Sequence, residues 1–249
     1  MQLLSRQSIY VSSLLLIVIP CFFLWACRQP IKPVDKWQAK MLEAHGGRDA
    51  LARVATILYS GRIATRGDRG TVDLIVSRPG KLRTSMKYLK RYEDRILLEK
   101  RGWRNVGTGF EEASGASLNA MIFQYNHLSL PMGIINGKYN ISYTELELAG
   151  KTLPAFELTG EQEPAMTVII DPGTGLIQRI DGRITMGARE IVMGVDYSDY
   201  RKVSGFMLPH RIVNYVNGNA VAESLYDKVA VNVALDPNVF SVNQPATLK

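Results

Sequence analysis

The sequence predicts an α+β fold: a strongly curved antiparallel sheet forming an open half-barrel, with helices plugging the concave face. Three observations carry this. Apolar and polar residues alternate along most of the chain from Ile57 onward, the period of strands. Two stretches, 35–54 and 111–128, repeat instead at helical spacing. The last three candidate strands, 190–202, 206–216 and 220–233, run to 13, 11 and 14 residues. Strands usually hold five or six residues. At about 3.3 Å per residue these three would reach roughly 35–45 Å. A sheet of such strands curls, and its inner face needs apolar cover. Only the two helical stretches supply it.

Residues 1–26 read as an export signal, not as part of the fold. Arg6 and the terminal amine form a short positive region, followed by an apolar stretch from Ile9 to Ala26. The stretch ends in Leu24-Trp25-Ala26-Cys27, the pattern of a bacterial lipoprotein signal. Ala26 is small enough for the peptidase pocket, and the Cys27 sulfur is the point of acylation. Cys21 fits worse, because Pro20 would stand at the cleavage position. An uncleaved span is the competing reading, since eighteen residues lie near the short limit for crossing a bilayer; ordinary secretion is the third. With Cys27 acylated, buried methylenes hold the protein to a membrane at about 0.8 kcal/mol each. Arg28, in place of Asp, permits delivery to the outer membrane, facing the periplasm. Residues 27–36, with Pro30 and Pro33, form a tether, and 37–249 the folded domain.

Inside the domain, Asp35-Lys36-Trp37-Gln38 has the form of a capping box, opening a helix to about Ala44. Trp37, Met41 and Ala44 share one face. Gly46-Gly47 breaks this helix, and a short second one runs from Arg48 to about Val54. Strands follow through Ile57–Ile63, Val72–Val76 and Leu82–Tyr88, with turns at Arg66-Gly67-Asp68 and Arg78-Pro79-Gly80. Further strands cover Arg95–Arg101 and the region of Trp103. From Glu111 to about Leu128 the pattern is helical, with Leu118, Met121, Ile122 and Tyr125 at i, i+3, i+4 and i+7. The apolar run from Leu128 to Ile135 lacks alternation. It reads either as core or, with 118–127, as a lid over a cavity. The C-terminal half is a meander, 139–148, 153–159, 165–170, 176–186 and the three long strands. Asn217-Gly218 is its strongest hairpin signal.

The net charge is +7. Removing residues 1–26 takes away one base, leaving +6. Residues 78–104 hold ten bases against three acids, a net of +7, so the rest of the chain after residue 26 is about neutral. This strip, with Arg83, Lys87 and Lys90, is expected to meet anionic head groups. Nucleic acid is not an expected partner of an exported, anchored chain.

Three segments resemble a known family. Glu43-Ala44-His45-Gly46-Gly47-Arg48-Asp49-Ala50-Leu51 resembles the helix-break-helix opening of the outer-membrane lipoprotein-sorting (LolA/LolB-like) superfamily. Ile170-Asp171-Pro172-Gly173-Thr174-Gly175-Leu176 is similar to its Asp-Pro-x-Thr-Gly-Leu hairpin, and Tyr197 to Gly205 with Leu208 to Ile212 to its late strand pair. The likeness spans most of residues 37–245. It implies a half-barrel with a hydrophobic cavity for acyl chains, and a lipid-anchored member resembles the receptor more than the soluble carrier.

No catalytic constellation accompanies these motifs. His45, His127 and His210 are far apart and lack metal-ligand spacing. Neither a Gly-x-Ser-x-Gly elbow nor a phosphate-binding loop is present, and Ser114-Gly115-Ala116-Ser117 reads as a helix start. Asp171 reads as turn chemistry, His210 as a cap where its strand begins, and Glu223 and Asp227 as a solvent-facing edge. The expectation is a non-enzymatic envelope lipoprotein, without cofactor or metal, that binds a lipid or lipoprotein acyl chain as carrier or receptor. Leu118, Met121, Ile122 and Tyr125 would line its site. The alternative is a regulatory or scaffold lipoprotein that docks an envelope protein.

Overall fold

The computed structural model describes residues 31–242, apart from 162, 187 and 188. The signal segment 1–26 and Cys27 lie outside the described residues. The chain opens with α1 (Pro33–Ala44) and α2 (Arg48–Ala52). Six strands follow: β1 (Thr56–Thr65), β2 (Asp68–Ser77), β3 (Lys81–Tyr88), β4 (Tyr92–Leu98), β5 (Arg101–Asn105) and β6 (Phe110–Ala113). Then come α3 (Gly115–Leu128) and α4 (Leu130–Ile135). Seven strands complete the chain: β7 (Asn140–Leu148), β8 (Lys151–Thr159), β9 (Ala165–Ile170), β10 (Ile177–Met186), β11 (Arg189–Val203), β12 (Phe206–Val216) and β13 (Asn219–Val231).

All thirteen strands join one antiparallel sheet, in the order β6-β5-β4-β3-β2-β1-β13-β12-β11-β10-β9-β8-β7. Two meanders meet at the β1–β13 seam, and β6 and β7 are the open ends. The chain therefore leaves one end of the sheet at β6 and returns at the other end at β7. The segment between them, α3 and α4, spans the concave face. The fold is the expected open half-barrel.

The core lies between that face and the helices. Alternate residues such as Tyr59, Leu74, Leu82, Leu97, Phe156, Val168 and Ile180 point inward to meet Met41, Leu51, Met121, Phe123, Leu130 and Met132. Among the described residues, none before Val34 contributes to this core. Register shifts occur in the β1–β13, β9–β10 and β12–β13 pairings, and the first of these resets the alternation in β13. Ser60 pairs with Lys228 but Gly61 with Tyr226, so Asp227 is an extra residue in β13. Such a bulge flips the faces beyond it. Val221 and Leu225 consequently point outward, at 41% and 37% exposure, while Val229 packs on the core.

Several boundaries correct the expectation. Helix α1 starts at Pro33, with no side-chain cap from Asp35. The fixed φ of proline and its missing N–H suit a first helical position, so the helix takes in the end of the expected tether. Residues 110–113 form β6 rather than the first turn of a helix, and α3 begins at Gly115. The apolar run without alternation contains a fourth helix, α4. His210 is not a strand cap: it lies within β12, buried, with Nδ1 2.8 Å from the Tyr226 carbonyl. Glu223 and Asp227 face solvent as expected, but on a central strand, paired with Arg211 and Arg62. The Asn217-Gly218 turn has positive φ at both positions, 48° and 77°, as its hairpin requires. Asp171 Oδ1 accepts from the Thr174 backbone N–H and hydroxyl, the expected turn chemistry.

Candidate functional site: the cleft beneath the helical plug

Ser114, extended, precedes α3, and a helix of largely apolar residues follows. An amphipathic surface helix would bury one stripe. This one straddles both halves of the sheet and buries two. On one side Leu118 and Met121 close over Gly102 of β5. On the other the Phe123 ring lies on Gly182 of β10, and His127 reaches Tyr197 of β11. Phe123 and His127 escaped the sequence reading because they fall off the Leu118-Met121-Ile122-Tyr125 stripe. Their own i, i+4 spacing was the available signal.

The four residues of the expected stripe are thus divided. Ile122 and Tyr125 line a cleft of about 580 Å³, whereas Leu118 and Met121 do not reach it. The cleft lies between α3–α4 and the turns at 78–80 and 99–100. Its apolar lining includes Val54, Pro79, Leu97, Ile122, Tyr125 and Met132, with Arg53, Lys100, Lys138 and Glu163 also contributing. The volume falls in the range of small-molecule sites, roughly 300–1,000 Å³.

Polar bonds pin the plug at this cleft. The Gly80 N–H donates to the Tyr125 hydroxyl at 2.9 Å. Asn126, fully buried, donates to Glu163 at 2.5 Å and accepts from Lys138 at 2.7 Å. Lys138 and Glu163 complete the triangle at 3.1 Å. Arg78 donates to the carbonyls of Val54 and Ala52, at 2.8 and 3.4 Å, satisfying backbone acceptors at the end of α2 and just beyond it.

Deeper in, side chains fill the half-barrel. A space of about 40 Å³ remains among Leu51, Tyr59, His127, Leu128, Tyr197 and Tyr200. That is small beside the cleft of about 580 Å³. Two histidines sit by this space. Burial pushes the His127 pKa down to about 3; burial also pushes His45 down, to about 4, partly offset by the Met41 carbonyl 2.8 Å from its Nδ1. Both lie below the ordinary 6.5. Below pH 6.5 the unfolded chain takes up protons that the folded chain refuses, so stability is full above that pH. It should fall as pH drops from 6.5 toward 4, by up to about 1.4 kcal/mol per pH unit for each histidine. Urea midpoints at pH 7.5 and 5 measure this, and His127→Gln should flatten the dependence. Equal midpoints at the two pH values would refute it.

The basic strip divides between the faces of the sheet. Arg83 is not available to a head group: it is 3% exposed, on the outer face, with Nε and Nη2 donating to Asp94 at 3.2 and 2.5 Å. Its Nη1 donates to the Val239 carbonyl, so the segment after β13 covers it. Lys87 is exposed on the same outer face, and Lys90 is exposed in the β3–β4 turn. The neighbouring turn residues Leu89 and Val106 are 75% and 51% exposed. Among the described residues no three His, Cys, Asp or Glu side chains form a group able to hold a metal.

No protein-family model and no curated protein sequence matches this chain. Solved structures do. The fold is similar to that of a putative outer membrane lipoprotein-sorting protein domain from Vibrio parahaemolyticus, with a TM-score of 0.54 and 10% identity. It is also similar to a LolA superfamily protein from Nitrosomonas europaea (0.54, 12%) and a DUF1329 family protein from Desulfovibrio piger (0.55, 12%). Each comparison covers 84% of this chain and 97% of the other. At these identities the likeness is one of fold: the chain has the LolA-like half-barrel.

Proposed function

We propose that this protein is a bacterial envelope lipoprotein, anchored through acylated Cys27, that holds the acyl chains of a lipid or lipoprotein beneath α3 and α4 as carrier or receptor. The observation that carries this reading is the cleft of about 580 Å³, apolar along much of its wall, at an edge of the plug where a few polar bonds hold it. The shared fold with lipoprotein-sorting domains supports it, as does the export signal; Arg28 favours an outer-membrane address facing the periplasm. Acyl chains would occupy the cleft first and the interior after α3 and α4 move. Each methylene leaving water contributes about 0.8 kcal/mol. Chains that enter the interior displace side-chain contacts of similar kind, so the net gain is small and the cargo can be handed on.

The test uses residues 28–249, which include the whole described core, exported to the periplasm. Native mass is recorded before and after organic extraction, and uptake of a long-chain fluorescent probe is measured. Co-purifying phospholipid or acyl species, displaced by the probe, is the expected result. A clean mass together with refusal of the probe would rule out the carrier. That outcome would favour the second reading, a regulatory or scaffold lipoprotein that docks an envelope protein. The nearly filled interior is the observation on its side.

A further inference from the structure

Arg95 of β4 and Arg104 of β5 stand directly opposite each other in the sheet. Like charges in that position repel, and a stable sheet avoids them. Both lie on the concave side: Arg95 is two residues from buried Leu97, and Arg104 two residues from Gly102, which Leu118 and Met121 cover. Between them sits Glu93, 2% exposed, whose Oε1 accepts from the Nε of both arginines at 2.7 Å. Arg91 brings a third guanidinium, its Nη1 3.7 Å from Glu93 Oε2, and its Cζ lies over the Tyr88 ring, 4.1 Å from the ring centre. Asp68 is 3.8 Å from Arg91. Glu111, opposite Arg104 on β6, forms no ion pair among the described residues. Three guanidinium groups therefore share two carboxylates.

The donors decide what fits. A guanidinium has five N–H groups. Arg95 and Arg104 each spend only Nε on Glu93, which leaves the four Nη hydrogens of each side chain without a described acceptor. Their side chains are 30% and 44% exposed, so both are partly open to solvent. Glu93 acts as a spacer that fixes two forks side by side. A carboxylate ligand has two oxygens and matches one fork. A phosphate group has several terminal oxygens and up to two charges, and can accept from both forks at once.

We propose that Arg95, Arg104 and Arg91, organised by Glu93, form a binding site for a phosphate group, either free in a soluble compound or in a lipid head group. The site is at the opposite end of β4 from the turn at 99–100 that lines the cleft, so its test does not depend on acyl chains entering the plug.

Residues 28–249 are melted in inorganic phosphate and in chloride at equal ionic strength. The melting temperature should rise specifically with phosphate. In R95Q/R104Q the apparent affinity should fall roughly tenfold or more. Because that variant leaves Glu93 buried beside fewer partners, E93Q/R95Q/R104Q, which removes both signs at once, provides a second variant with the same expected loss. R62Q/R211Q, which alters outer-face pairs, should keep the response. Vesicles of phosphatidylcholine with and without phosphatidic acid distinguish the sources. Pelleting that needs phosphatidic acid and is lost in R95Q/R104Q supports the site with a lipid head group. A response to free phosphate alone supports it with a soluble phosphate compound. The proposal is overturned if the wild type shows neither a phosphate-specific shift nor such pelleting, or if its response survives unchanged in both variants.

Discussion

Replacing Phe123 with alanine should destabilise the protein by about 3–5 kcal/mol, the usual cost of emptying a buried aromatic site. Phe123 is 1% exposed, and its ring fills the space above Gly182, 5.1 Å from the His127 ring. It is a principal link between α3 and the C-terminal half of the sheet. The cavity left behind would adjoin the small space beside His127, so uptake of a long-chain probe should rise as stability falls. Gly182→Ala tests the same contact from the other side, because its new Cβ would overlap the Phe123 ring and force a repacking costing roughly 1–3 kcal/mol. Urea unfolding and probe titration on the same samples read both effects. A loss under about 1 kcal/mol for Phe123→Ala would mean that the helix is held elsewhere.

Asp94→Ala should be comparably severe, at about 3–5 kcal/mol, because it strands a buried guanidinium. Asp94 is 0% exposed and accepts from Arg83 through both oxygens and from the Ser85 hydroxyl at 2.9 Å. Replacing both partners, Arg83→Met with Asp94→Leu, should cost much less, since no charge is then left unpaired. The pair also separates two roles for the basic strip. Arg83→Gln should lower stability, while Lys87→Gln with Lys90→Gln should leave it within about 0.5 kcal/mol, as surface changes do. If Asp94→Ala unfolds at the wild-type urea concentration, the pair contributes little to stability.

Much of the fold was legible in the sequence because its signals are local. Alternation at Ile57–Ile63 or Leu82–Tyr88 needs only a sheet with one dry face, and Asn217-Gly218 needs only its own backbone. The plug helix was legible from the Leu118–Tyr125 spacing, and with it two residues of the cleft lining, Ile122 and Tyr125. The other walls were not. Val54, Pro79, Leu97 and Lys138 come from four separate connections or strands, and no short-range pattern says that they meet. α4 was missed because a buried helix, apolar all round, has no periodicity to detect.

The sequence by itself determined the strand faces away from the bulges, the positions of most turns and the concentration of charge in 78–104. Tertiary structure decided the rest. It paired β1 with β13, which set the two open ends and sent α3 and α4 across the concave face. It placed the extra residue at Asp227, which turned Val229 inward. It laid the segment after β13 over Arg83, and so divided one basic strip into a buried outer pair, exposed lysines and an inward-facing arginine cluster. Sequence patterns record the dielectric that each residue needs on average, whereas burial depends on which distant segment arrives to exclude water.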